Sequence, residues 1–155
     1  MTLDNLVGIS LERIPPDAAA IRRLLEAAAR NIKDAHVAEV SAENRFDAAY
    51  KAIMQLANAC LQANGFRTLT SKPGHHQTML QLLVKSVGLE SDSMVILDSL
   101  RKQRNVADYS GDLISESAMS ECIQQAEQLQ QIVLRWFEEN HSVLSVIRSF
   151  NQPVS

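Results

Sequence analysis

A chain of 155 residues with 46% hydrophobic content has the size of one domain and can bury a substantial core. Only 5% of the residues are aromatic and Gly and Pro are sparse, a balance that favours helices over a sheet. The formal net charge of -3 excludes a global basic field for a polyanion, so any nucleic-acid contact must come from a local patch. We therefore expect a single all-α domain over residues 1–155.

The first 16 residues contain scattered apolar positions and close on Pro15-Pro16, which cannot continue a helix. We predict that residues 1–16 form an N-terminal arm packed on the body. The chain has no apolar run of about 20 residues, and Met1 to Leu11 lacks a basic region and a cleavage site. These features predict a cytoplasmic protein without a membrane contact. Cys60 and Cys122 fit buried free thiols, since neither belongs to a paired motif.

Apolar residues then recur at helical spacing along most of the chain. The first helix is expected to begin after Asp17 and to end near 33–36. The second follows Ser41 and stops at Asn64-Gly65, and the third runs from Pro73 to Gly88.

A further helix is predicted to begin after Ser91 or Asp92 and to run through Tyr109. A last long helix follows Ser115 and ends or kinks at Asn140, and 141–155 is predicted as a short C-terminal helix and tail. Four main helices with short connections and short terminal helices predict an antiparallel, up-and-down bundle.

The segment from Arg101 to Gly111 concentrates charged, amide and aromatic groups at the end of a helix. On that helix Arg101, Arg104, Asn105 and Asp108 fall at i, i+3, i+4 and i+7, and therefore share one face. Two guanidinium groups on one face could hold an anion. The ordinary alternative is an Arg104–Asp108 ion pair with an exposed Arg101.

The same segment resembles the signature of the HEPN superfamily, in which an Arg, usually followed by Asn, precedes a His across four intervening residues. Arg104-Asn105 matches the pair, and Tyr109 occupies the position of the His. An Asp-Tyr after the Arg-Asn pair is similar to a variant in some HEPN branches. The stretch 72–77 with its following apolar residues is similar to the second helical hairpin of these proteins, so the resemblance covers about 40–140.

The resemblance implies a HEPN-like bundle that binds RNA, a nucleotide or a partner protein through Arg104, Asn105, Asp108 and Tyr109. It also implies a homodimer with facing motif helices, and a nucleotidyltransferase or antitoxin partner in a toxin–antitoxin or defence system.

Two alternatives remain open beside this binding module. One is a metal-independent endoribonuclease in which Arg104 clamps the phosphate while Asp108, Tyr109 or a remote His handles the proton. An unperturbed phenol is a poor base near neutrality, since its pKa is about 10. The other is a purely structural dimer whose Arg-Asp pairs fix the register of the bundle.

Further candidate ligand-binding residues are Arg101, Lys102, His75 and His76. Neighbouring histidines on a helix lie roughly 100° apart, so they do not chelate one metal as an i,i+4 pair does. A capping or core role for one and solvent exposure for the other is the ordinary interpretation. Either could instead reach Arg104 from across the bundle and supply the missing imidazole. We expect neither a metal nor a cofactor, because the chain has no phosphate loop and no metal-ligand motif.

Overall fold

The computed structural model describes residues 3–111 and 113–140 and has the all-α fold expected from the sequence. The predicted C-terminal helix in 141–155 lies outside the described residues. In chain order the elements are a 3-10 helix (Leu3–Leu6), β1 (Leu11–Arg13), α1 (Ala18–Ala35), α2 (Ala42–Ala63), β2 (Phe66–Thr68), α3 (His75–Gln81), α4 (Leu83–Ser86), α5 (Ser91–Ser110) and α6 (Glu116–Glu139). No helix among these residues is long and apolar enough to cross a membrane.

Side-chain caps set the starts of three long helices where the sequence predicted them. Asp17, Ser41 and Ser115 each accept hydrogen bonds from backbone N–H groups in the first turn of α1, α2 and α6. These bonds satisfy amide groups that have no partner within the helix. The start of α5 differs slightly from the prediction, because Glu90 occupies the N-cap position and makes no side-chain cap bond.

The helix predicted from Pro73 to Gly88 is divided in two at Leu82. Leu80 and Leu83 pack in the main core, whereas Leu82 packs in a second apolar cluster with Leu11 and Phe66. Positions this close along the chain cannot all face one side of a regular helix. The interruption between α3 and α4 lets both sides be buried.

The N-terminal arm packs on the body, as expected, but partly as a strand. β1 pairs antiparallel with β2, with Leu11 opposite Thr68 and Arg13 opposite Phe66. Leu11 is fully buried in the second cluster. This pairing ties the arm to the segment that leads into α3.

Helix α2 lies at the centre of the bundle and packs mainly against α1 and α6. Buried residues occur almost all round it, and several are small, among them Ala49, Ala52 and Ala59. Small side chains at a contact let neighbouring helices approach closely. Its open face holds the polar residues that matter for the candidate site.

The apolar run Val95–Leu97 of α5 is only partly buried. Leu97 and Leu100 are in the core, whereas Val95 is 59% and Ile96 38% exposed. Consecutive positions on a helix point in different directions, so a continuous apolar run cannot all face the core.

Candidate functional site

Arg104 extends from α5 onto the open face of α2. Its guanidinium carbon lies 4.9 Å from the centroid of the Tyr50 ring, within the range of a cation–π contact. Its Nε lies 3.5 Å from Asp47 Oδ1, and this Nε is buried without a hydrogen-bond partner among the described residues. The side chain is therefore positioned by a ring and a carboxylate while retaining an unused donor.

His76 reaches the same place from α3. Its Nδ1 lies 3.4 Å from the Tyr50 hydroxyl oxygen, so Tyr50 contacts both His76 and Arg104. The ring of His75 packs edge-on against His76, with 4.6 Å between centroids. Left-handed Gly74 (φ 75°) precedes the pair and is the N-cap residue of α3.

The two titratable rings of this site are both held in their neutral forms. Burial lowers the pKa of His76, and the nearby His75, Arg104 and Arg101 lower it further. Burial raises the pKa of the Tyr50 hydroxyl, although the charges of Arg104 and Arg101 oppose this shift. At neutral pH the imidazole can accept a proton and the phenol can donate a hydrogen bond.

A cavity of about 410 Å³ adjoins Arg104 along α2. Its apolar wall comes from Met54 and Met79. Its polar wall comes from Asp47, Lys51, Gln55, Asn58, His76 and Arg104, with the ring of Tyr50 beside Arg104. The arrangement combines positive charge, hydrogen-bond donors and apolar surface in one concave site.

Arg101 and Lys102 are not directed to this cavity. Arg101 Nε donates to Asp98 at 2.8 Å and is only 15% exposed, and Lys102 lies 3.5 Å from the same carboxylate. Burial by itself would raise the pKa of Asp98, but the hydrogen bond and charge of Arg101, with Lys102, lower it. The ordinary alternative of an exposed Arg101 does not hold, because Arg101 is drawn to a carboxylate three residues earlier.

The remaining motif residues, Asn105, Asp108 and Tyr109, do not line the cavity of about 410 Å³ beside Arg104. Tyr109 is 96% exposed, and Asn105 is also at the surface. Asp108 borders a separate cavity of about 160 Å³, which Asp47 and Arg104 also line. The Arg104–Asp108 ion pair of the ordinary alternative is not formed, because Arg104 turns across to Asp47 of α2.

Besides Arg104, one residue of the site was predicted from the sequence, and two others were not. His76 was a candidate because of its chemistry, and the structure places it beside Arg104. Tyr50 and Lys51 were missed, since both lie in a helix whose apolar period suggested only a core role. Their position three and four residues after Asp47 is a weak signal that they share its face.

No three His, Cys, Asp or Glu side chains of the described residues gather in a group suited to a metal ion. No family model, curated protein or solved structure matches this chain. A functional proposal therefore rests on the geometry around Arg104 and on the resemblance of the Arg104-Asn105 segment to the HEPN signature.

Proposed function

We propose that this protein is a HEPN-like helical module that binds the phosphate of RNA or of a nucleotide at Arg104. The observation that carries the proposal is the Arg104 side chain held over Tyr50 beside an open cavity. A planar guanidinium matches the oxygens of a phosphate, and its charge persists at any physiological pH. The net negative charge of the chain does not prevent such a local contact.

The cavity supports a ligand of nucleotide size. Its volume of about 410 Å³ falls within the range of small-molecule sites, roughly 300–1,000 Å³. Lys51 adds a second positive charge, and Met54 with Met79 offers apolar surface for a base or a sugar. The proposed groove thus shifts from the linear Arg-Asn-Asp-Tyr face to the space between α2, α3 and α5.

The proposal keeps a homodimer, a nucleotidyltransferase or antitoxin partner, and a cytoplasmic location. Exposed apolar residues on and after α5 support a protein contact there: Val106 is 61%, Tyr109 96% and Leu113 81% exposed. Cys60 and Cys122 are buried free thiols, which fits a reducing compartment.

A second candidate function is metal-independent cleavage of RNA, and the position of His76 favours it. A neutral imidazole beside Arg104 could take the proton of a ribose 2′-OH as its oxygen attacks the adjacent phosphorus. The bond from phosphorus to the 5′ oxygen would break, and that oxygen would take a proton from water. His76 suits this role better than Tyr109, whose side chain lies in solvent away from the cavity.

The test compares wild type with Arg104→Ala and with His76→Gln on labelled structured and single-stranded RNAs in the presence of a chelator. Losing one charge-assisted contact of about 1.5–3 kcal/mol should weaken binding roughly 10- to 150-fold. Arg135→Ala, at an exposed position on α6 away from the cavity, is the matched control.

Three results are distinguishable. Binding without cleavage, lost in Arg104→Ala, supports the module, whereas cleavage that survives chelator and requires Arg104 and His76 supports the nuclease. A change in melting temperature with no effect on any RNA or nucleotide would refute both and leave the structural dimer.

A further inference from the structure

A third cavity adjoins the cavity of about 410 Å³ beside Arg104 and continues it onto α1. This cavity, of about 450 Å³, is lined by Arg30, Asn31, Lys33 and Asp34 from α1. It is also lined by Lys51 and Gln55 of α2, which belong to the Arg104 cavity as well. Two concave sites, each of small-ligand size, therefore share one wall.

The two cavities together carry a surplus of positive charge. Arg30, Lys33, Lys51 and Arg104 line them, against the carboxylates of Asp34 and Asp47. Among the residues that the structure describes, no ion pair engages Arg30, Lys33 or Lys51, whereas Arg101 and Lys102 are held by Asp98. Arg30, Lys33 and Lys51 are thus available to an anion from solution, whereas Arg104 shares its charge with Asp47.

The side-chain amides of Gln55 and Asn58, on the open face of α2, add hydrogen-bond donors of fixed orientation. The Gln55 carbonyl accepts from Asn31 Nδ2 at 2.8 Å, and the Asn58 carbonyl accepts from Gln62 Nε2 at 3.0 Å. Because both side-chain oxygens already accept a hydrogen bond, Gln55 and Asn58 can donate hydrogen bonds to a ligand from their NH₂ groups. Phosphate oxygens, ribose hydroxyls and base carbonyls are acceptors for such groups.

The polar face of α2 that lines the two cavities is too long for a single phosphate to fill. Asp47, Lys51 and Gln55 follow one another at intervals of four residues, so this face extends for about 12 Å at 1.5 Å per residue. A ligand that uses both ends must carry negative charges in a row. A flexible single-stranded polyanion meets this need, because its phosphates can follow the face one after another.

We propose that the two cavities form one track for single-stranded RNA, a proposal that rests on the phosphate-binding function of Arg104. One phosphate binds Arg104, and the following phosphates bind Lys51 and then Arg30 with Lys33. Met54 and Met79 contact an unstacked base next to Arg104. The NH₂ groups of Gln55 and Asn58 donate to ribose 2′-OH groups, which distinguishes RNA from DNA.

The experiment measures binding of uridine monophosphate, of labelled oligouridylates of increasing length, and of single-stranded DNA and duplex RNA of matched length, across a range of salt concentrations. The variants are Arg104→Ala and the double variant Arg30→Ala/Lys33→Ala. The control is Arg135→Ala/Lys85→Ala, which removes the same charges from exposed positions that line neither cavity. Circular dichroism checks that each variant is folded.

We expect affinity to rise with RNA length in the wild type. The Arg30→Ala/Lys33→Ala variant should bind the longer RNAs at least tenfold more weakly and bind uridine monophosphate as before. Its salt dependence should be shallower by about 1.4, since each lost contact to a single strand contributes roughly 0.7. The control variant should match the wild type with every ligand.

Two kinds of failure are separable. Equal affinity for the mononucleotide and the longer RNAs, unchanged binding in the Arg30→Ala/Lys33→Ala variant, or tighter binding of DNA or duplex RNA would overturn the track and leave the phosphate site at Arg104 intact. Absence of binding to every RNA and nucleotide by the wild type would overturn the phosphate site as well.

Discussion

The contact between Arg104 and Tyr50 should be worth more than the ion pair between Arg104 and Asp47. The guanidinium lies 4.9 Å from the centroid of the buried Tyr50 ring, which places the cation–π contact at about 1–2 kcal/mol. The ion pair spans 3.5 Å between side chains that are 33% and 50% exposed, and such pairs contribute about 0–1 kcal/mol. Arg104→Met should then lower the melting temperature by roughly 2–10 °C in a domain of this size.

Two double-mutant cycles measure the two contacts separately. One combines Arg104→Met with Tyr50→Leu, and the other combines Arg104→Met with Asp47→Asn, each by urea unfolding followed by circular dichroism. The coupling to Asp47 should decrease as salt is added, and the coupling to Tyr50 should persist because the ring carries no net charge. A coupling to Tyr50 below about 0.3 kcal/mol, the usual error of additivity, would refute the idea that the ring positions the guanidinium.

Two further predictions concern titration and thiol reactivity. Burial lowers the pKa of His76 in the folded protein, so as the pH falls below about 6.5 the unfolded chain binds the proton first and the folded state loses stability. Chemical unfolding above and below that pH should reveal this loss, and His76→Gln should reduce it; an equal loss in the variant would contradict the assignment. Burial raises the pKa of Cys60, and burial with nearby acidic charges raises that of Cys122 to about 12. A thiol reagent should therefore label both only as the chain opens, and labelling of the native protein at the rate of a free cysteine would disprove this burial.

The boundaries of the long helices were predictable because their causes are local. Asp17, Ser41 and Ser115 cap α1, α2 and α6 with their own side chains, and α2 and α5 end at the left-handed Gly65 and Gly111, at φ of 91° and 72°. Each of these signals acts within one helical turn of the boundary. The residues next to a helix boundary are therefore enough to predict it.

The strands and the site depend on contacts between segments that are distant in the chain. For this reason neither could be fully predicted from the sequence. β1 and β2 have three residues each, shorter than a pattern that periodicity detects, and each needs the other to exist. The spacing of Arg104 and Asp108 correctly placed them on one helix face, but it could not reveal that Asp47 and Tyr50 lie across from Arg104. Helical spacing identifies neighbours on the same helix and not the partner helix.

The central position of α2 also bears on how this protein could change over evolutionary time. Substitution of its buried alanines would force whole helices apart, so this side of α2 should tolerate almost no variation. Lys51, Gln55 and Asn58 lie on the open face and support little of the core, so they can be exchanged at small cost to the fold. The same helix thus combines a sequence fixed by packing with a surface free to diversify, and related bundles could acquire new ligands by altering this face alone.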